Sequence, residues 1–372
     1  MDHSTAFAAA REIRTTARRR AARSALTALA LAMAVAAASA QSSVTIGGTL
    51  DLSARYVKNE GRDRRVSLTQ DGLNTSELFL VGTEDLGSGL KAGFNLRSAV
   101  NADTGTTTGN SQFWNRRATV SLMGNFGEIR LGRDYAPTFW NQTIFDVFGT
   151  NGVGSSRNIP QFEVGLGRAV RLDNSIGYFL PSNLGGVYGQ AMAAASEGAP
   201  ASPTAVGNFG RYLGGRIGYA AGRFNAALAY ADQRLDAAVG QPSHKTVSIG
   251  GSYDLAVVKL MGYYHREMES YTGVDKKENR FSLSAMIPFG QSEIHVGGEQ
   301  SQLNNQLTGT STKVSQFALG YVYNLSKRTA LYTTASRLSN GGPTTVAIPA
   351  GASTPIAGGT SQAIEFGLRH FF

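Results

Sequence analysis

Apolar and polar residues alternate along most of the chain, which is the pattern of β-strands with two different faces. Near the carboxyl end Ile364, Phe366 and Leu368 share one face with the terminal Phe372, and the residues between them are mostly polar. Residues 44–56 alternate in the same way. Because successive side chains point to opposite sides of a sheet, these strands are expected to separate an apolar from a polar environment.

Two kinds of connection separate the alternating segments. Short turns rich in Gly, Asn and Asp are predicted at 85–89, 124–127, 181–186, 220–223, 254–257, 288–292 and 324–328. Longer polar connections are predicted at 58–72, 101–111, 135–168, 196–209, 232–244, 267–278, 302–312 and 339–360. The connections alternate between the two kinds and predict 16 strands.

This organisation indicates an all-β fold, a 16-stranded antiparallel transmembrane β-barrel with short turns at one end and long loops at the other. A large soluble β-sandwich or propeller is the alternative, but it does not explain the regular alternation of connection lengths. No stretch of 18 apolar residues follows residue 40, so a helical membrane protein is excluded.

The amino-terminal 40 residues differ from the rest. Six arginines within residues 11–23 precede an apolar run from Ala25 to Ala38, which ends in the small residues Ala38-Ser39-Ala40. This order predicts a signal peptide over 1–40, cleaved after Ala40, and a barrel over 41–372. The run is short for the alternative, a membrane anchor, which needs about 20 apolar residues.

Charge and composition add little that is specific. The chain has 35 basic and 26 acidic residues, a net charge of +9, and residues 41–372 retain 29 and 24 of them. Such a mild excess does not favour a nucleic-acid partner. The chain has no cysteine, and its five histidines are scattered. No nucleophile elbow, phosphate loop or H-E-x-x-H motif occurs, so we expect no enzyme activity, cofactor or metal site.

Several strings together resemble the Gram-negative general porins, and most closely their betaproteobacterial branch. They are QSSVTIGGTLDLSARYV at 41–57, VGTEDLGSGLKAGFNL at 81–96, WNRRATVSLMGNFGEIRLGRDY at 114–135, RLDNSIGYFLPSNLGG at 171–186 and FGLRHFF at 366–372. The resemblance implies a homotrimer in the outer membrane of a Gram-negative bacterium, in contact with its lipids. It implies a water-filled pore for small hydrophilic solutes and ions, and a third external loop, 135–168, folded inward to narrow it.

Strand parity predicts which charged side chains line that pore, since the residues between lipid-facing ones face the lumen. These predicted wall residues are Arg55, Arg97, Arg117, Arg130 and Arg171. The resemblance adds Arg133 and assigns Arg117 to the constriction. The acidic residues expected at loop 3 are Asp134 and Asp146, with Glu163 as a further candidate, whereas Trp114 and Trp140 are expected to pack.

One wall position departs from the family pattern: Glu77 stands where relatives usually carry an arginine. It weakens the basic wall and could pair with a neighbouring arginine. With more basic than acidic lumen groups, weak anion preference is expected. Two alternatives remain open, a substrate-specific channel and a barrel that acts mainly as an adhesin or surface antigen, whereas a barrel hydrolase lacks any grouped catalytic residues.

Overall fold

The computed structural model describes residues 42–107, 112–159, 170–195, 209–235, 243–271, 274–306, 308–351 and 353–372. The predicted signal peptide and Glu163 lie outside these residues. The strands are β1 (Ser43–Asn59), β2 (Arg64–Gln70), β3 (Glu77–Gly87), β4 (Leu90–Ala99), β5 (Arg117–Gly124), β6 (Gly127–Tyr135), β7 (Arg171–Phe179), β8 (Val187–Ala194), β9 (Phe209–Ala221), β10 (Phe224–Leu235), β11 (Ser243–Asp254), β12 (Lys259–Tyr271), β13 (Val274–Phe289), β14 (Ser292–Asn305), β15 (Thr310–Asn324), β16 (Thr329–Asn340) and β17 (Thr360–Phe371). One short helix, α1 (Phe139–Ile144), lies between β6 and β7. No helix among these residues is both long and apolar enough to cross a membrane.

The strands form one closed antiparallel sheet. Except for β2 and β3, consecutive strands pair with each other, and β1 pairs with β17 from Thr49 opposite Phe371 to Asn59 opposite Ser361. β2 and β3 both pair with β1, with Gln70 opposite Leu52 and Glu77 opposite Thr49. They are therefore two halves of one wall strand, and the predicted barrel of 16 strands is confirmed.

Residues 71–76 interrupt that wall strand, and Asp51 on β1 compensates for the break. Its carboxylate accepts hydrogen bonds from the backbone N–H groups of Gly72, Leu73 and Asn74, at 3.2, 2.9 and 2.6 Å. The Tyr332 hydroxyl donates to the same carboxylate. The interruption thus leaves these buried or partly buried backbone groups with polar partners.

The seven short turns occur where predicted, but several long connections are shorter than expected. β1 continues to Asn59 and β2 begins at Arg64, so the first connection is 60–63 rather than 58–72. Likewise, only residues 272–273 separate β12 from β13, where 267–278 was predicted. The predictions were wrong because the strand ends are rich in polar residues, which is also typical of loops. The structure shows that backbone pairing between the strands continues through these polar residues.

The barrel is apolar outside and polar inside. On β1 the side chains of Val44 and Ile46 are 62% and 68% exposed, whereas Asp51 and Ser53 are 0% and 1% exposed. Lipid-facing apolar residues that alternate with inward polar ones are typical of an outer-membrane barrel. The inward residues are buried because chain segments pack against them inside the barrel.

Two connections fill part of the interior. Loop 3, residues 136–170 between β6 and β7, is described up to Ile159. Its α1 residue Asn141 donates to the carbonyls of Ala227 and Ser248, both at 3.2 Å. Further along, the Val153 N–H donates to Glu365 at 3.0 Å on β17. Loop 3 therefore runs across the interior from the β6 wall to the wall on the other side.

The connection between β16 and β17, residues 341–359, packs onto the end of loop 3. Its Ile348 lies in a fully buried apolar cluster with Val153 and Ile159 of loop 3 and Leu338 of β16. The cluster fills the interior beside β15–β17 and β1, so the open part of the lumen lies beside β3–β7.

Gly132 lies on β6 at a position that leaves no room for a side chain. It lies where the β6–β7 ladder changes register, has φ +123°, and a Cβ there would lie 2.1 Å from the Ala118 carbonyl oxygen. We expect Gly132→Ala to destabilise the barrel by about 1–3 kcal/mol, since a side chain is strained at this φ. Unfolding in urea, followed on gels by the migration of the folded barrel, measures the loss.

Gly298→Ala on β14 is the matched control. The nearest atom to its added Cβ lies 4.0 Å away, so little change in the unfolding midpoint is expected. Equal midpoints for the two variants would contradict the role given to Gly132.

Candidate functional site

The candidate site is a cavity of about 570 Å³ between loop 3 and the walls formed by β3–β7. Its charged lining residues are Arg97, Arg116, Arg117, Arg157, Arg171, Asp71 and Glu77. Aromatic side chains share the lining, namely Tyr135, Phe139, Trp140 and Phe371. Five arginines against two carboxylates make the described lining strongly basic.

Arg117 projects from β5, and Asp134 on β6 holds it in place. The Arg117 guanidinium lies 2.7 Å from an Asp134 oxygen, and the other Asp134 oxygen lies 2.6 Å from Arg130. Arg130 also pairs with Glu128 at 2.9 Å and stacks on the Phe179 ring at 4.0 Å. Asp134, expected as a loop residue, is thus a buried part of the β6 wall.

Arg97 and Glu77 form a cross-strand ion pair within the cavity lining. Arg97 also donates to the Asn95 side chain at 3.1 Å. Glu77 thus places a negative charge in the described lining and pairs it with a neighbouring arginine.

Arg171 and Arg116 complete the basic wall. The Arg171 guanidinium donates to the Tyr135 hydroxyl at 2.9 Å and lies 4.4 Å from the centre of that ring. Arg116 lies 3.5 Å from Asp71, in the interruption of the second wall strand. The sequence analysis did not identify Arg116 as a wall residue, although it is part of the string WNRR. Arg116 directly precedes β5, so the alternation of faces along that strand does not apply to it.

Arg157 reaches the cavity from loop 3, opposite the barrel wall. No pattern in the sequence identifies it, because its position depends on how loop 3 packs across the interior. It also lines a small cavity of about 40 Å³ between α1 and the β9–β13 wall.

Three predicted wall arginines lie outside the cavity lining, namely Arg130, which Glu128 and Asp134 hold, and Arg55 and Arg133. Arg55 is buried in a 2.8 Å ion pair with Glu365, which it faces across β1 and β17. Arg133 pairs with Asp173 at 2.6 Å. This pair lies at the bulge in β7, where Asn174 has φ 51°, and neither residue lines the cavity.

Asp146 is also remote from the open cavity. Its carboxylate accepts hydrogen bonds from the Ser282 hydroxyl on β13 and from the Phe148 N–H, both at 2.8 Å. The side chain is buried. Asp146 therefore anchors the tip of loop 3 to the far wall, which is the part of the barrel opposite β3–β7. It does not face the arginines that line the cavity.

The far wall carries its own charges, but they are buried beneath loop 3. Arg280 lies 2.6 Å from Glu267, and His265 lies 3.0 Å from the same carboxylate. Gln142 of α1 bonds the His265 ring at 3.0 Å. These mutually paired groups hold α1, while the arginines beside β3–β7 line the open space.

The chain resembles known proteins over most of its length. A family model described as Gram-negative porin matches residues 25–343. Outer membrane porin protein 32 of Delftia acidovorans is 37% identical over 341 residues, which cover 89% of this chain and 95% of that protein. An outer membrane porin of Bordetella pertussis is 29% identical, covering 81% of this chain and 90% of that protein.

Solved structures agree. An anion-selective porin from Comamonas acidovorans matches with a TM-score of 0.80 and 35% identity, covering 89% of this chain and all of that one (100%). The trimer form of OmpT from Vibrio cholerae matches with a TM-score of 0.65 over 89% of this chain and 99% of that one. It is 12% identical, so this likeness shows the fold alone.

The Arg55–Glu365 pair gives a stability prediction. Glu365→Gln is expected to lower the free energy of unfolding by about 3–5 kcal/mol, because it leaves a buried guanidinium without its counter-charge. The Glu365 carboxylate also accepts a hydrogen bond from the Val153 N–H of loop 3. The variant should therefore make loop 3 more mobile. Urea unfolding measures the stability, and open-channel current noise in planar bilayers measures the loosening.

The double variant Arg55→Met, Glu365→Gln is the control. It removes the uncompensated charge and should recover much of the lost stability. A double variant no more stable than Glu365→Gln would show that the buried charge is not the cause.

Proposed function

The chain belongs to the Gram-negative porin family, and on that premise we propose that its barrel is a passive, anion-preferring pore for small hydrophilic solutes and ions. We further propose that it acts as a homotrimer in the outer membrane, after cleavage of residues 1–40. As a channel it needs no cofactor and performs no chemical step.

The observation that carries the anion preference is the imbalance of charge around the open cavity. The two lining carboxylates, Glu77 and Asp71, each pair with one arginine. Arg171 is held by the neutral Tyr135 hydroxyl rather than by a carboxylate. The arginines therefore outweigh the acids where an ion must pass.

Clustered side-chain charge is how pores of this kind select ions. Two unit charges about 7 Å apart interact by about 0.6 kcal/mol even in bulk water, and more strongly near a low-dielectric wall. An arginine held by a neutral group, as Arg171 is, therefore changes the local ratio of anions to cations by a few-fold. The anion selectivity in the description of the Comamonas acidovorans structure supports the same direction.

The negative charge of Glu77, which pairs with Arg97, limits the anion preference. A variant that lacks this charge tests the proposal. In planar bilayers with a KCl gradient, the reversal potential of the unmodified protein should show chloride more permeant than potassium. Glu77→Gln should raise the permeability ratio by about two- to threefold, because one negative charge leaves the wall. The effect should shrink at high salt, where screening shortens the Debye length.

Glu84→Gln is the matched control, since Glu84 lies on the same strand but is exposed and outside the cavity lining. It should leave the reversal potential unchanged, and Arg97→Gln should shift it toward potassium. Cation preference of the unmodified protein, or an equal shift by Glu84→Gln, would overturn the proposed selectivity.

A further inference from the structure

Resting on the proposed pore function, we propose that the open cavity is a subsite for aromatic carboxylates. Their ring would lie against the aromatic side chains of α1 and their carboxylate would bind the neighbouring guanidinium groups.

The aromatic patch consists of Tyr135, Phe139 and Trp140, whose rings contact one another. Tyr135 and Phe139 are stacked, with centroids 5.4 Å apart and planes 17° apart. The Tyr135 and Trp140 centroids are 5.2 Å apart, and those of Phe139 and Trp140 are 6.1 Å apart. All three line the cavity and are only partly buried. A pore that passes only water and small ions has no need of such a surface, since its lumen is polar.

The anchoring of α1 fixes which side chains face the cavity. Asn141 and Gln142 are buried against the far wall by hydrogen bonds to Ala227, Ser248 and His265. Residues three and four apart share one face of a helix, so the opposite face carries Phe139, Trp140 and Thr143. These three line the cavity. The rings are therefore held toward the lumen by the same bonds that hold loop 3.

Cations lie directly beside the patch. Arg117 and Arg171 lie 5.4 and 4.4 Å from the centre of the Tyr135 ring. Arg171, which donates to the Tyr135 hydroxyl, can bind a carboxylate with its remaining N–H groups, while Arg117, paired with Asp134, adds positive charge beside it. The cavity thus offers an apolar aromatic surface and a carboxylate-binding surface within the length of one small molecule.

This combination defines the ligand class. A simple aliphatic acid would satisfy the arginines but leave the rings in water, and a neutral aromatic would use the rings but not the charge. An aromatic carboxylate uses both. Ring-on-ring contact should make its binding about tenfold tighter than that of an aliphatic acid of the same charge. That gain still permits rapid release, which a channel requires.

The test compares solutes on the full-length channel in planar bilayers. Benzoate, propionate and benzyl alcohol are added to a constant KCl solution, and the concentration that halves the potassium chloride current is measured for each. Benzoate should act at about one-tenth of the propionate concentration, and benzyl alcohol should need far more than benzoate. Equal half-blocking concentrations for benzoate and propionate would overturn the subsite.

A matched pair of variants locates the effect. Trp140→Gln should raise the half-blocking concentration of benzoate toward that of propionate. Trp114→Gln removes the other tryptophan, which packs against Phe113 away from the cavity lining, and should keep the discrimination. Loss of discrimination in both variants would overturn the placement on α1. The comparison of benzoate with propionate on the unmodified protein stands even if a variant fails to assemble.

The two proposals fail differently. The reversal potential in KCl tests the anion preference and does not involve an aromatic solute. A channel that prefers chloride but treats benzoate and propionate alike would retain the proposed function and lose the subsite.

Discussion

The closed backbone ladder is the constraint on which the rest of the structure depends. A chain in lipid must satisfy every backbone N–H and C=O internally, and only a closed sheet does so with strands. Pairing of β1 with β17 achieves closure, and Asp51 compensates for the break between β2 and β3 by accepting from three backbone N–H groups. Closure assigns each side chain to lipid or lumen, and so brings charged residues from distant strands together.

Loop 3 turns this wide barrel into an asymmetric channel. It is held by Asn141, Asp146 and Val153, each of which bonds a different part of the far wall. Beneath it, Glu267 and Arg280 are buried in an ion pair. The arginines of the opposite wall remain beside the open cavity, which is why the described charges favour anions there.

The same anchoring explains the aromatic patch. Since α1 bonds the far wall through Asn141 and Gln142, its Phe139 and Trp140 face the lumen, beside guanidinium groups that stack on Tyr135. The sequence analysis predicted only that Trp140 packs, because the sequence of a loop does not indicate whether a tryptophan faces the lumen. Ion selection and the proposed ring-binding surface thus have one structural origin.

By itself, the sequence determined the barrel, its 16 strands, its short turns, and the inward position of Arg97 and Arg117. These follow from local rules, namely a period of two residues and the conformational preferences of Gly, Asn and Asp. Only the tertiary structure decided which inward charges reach the pore. Arg55 and Asp146 are covered by contacts with residues more than a hundred positions away, and Arg157 is brought to the cavity by loop 3. The alternation along a strand predicts which face of the sheet a side chain lies on. Whether that side chain is buried depends on which other segments of the chain pack against that face.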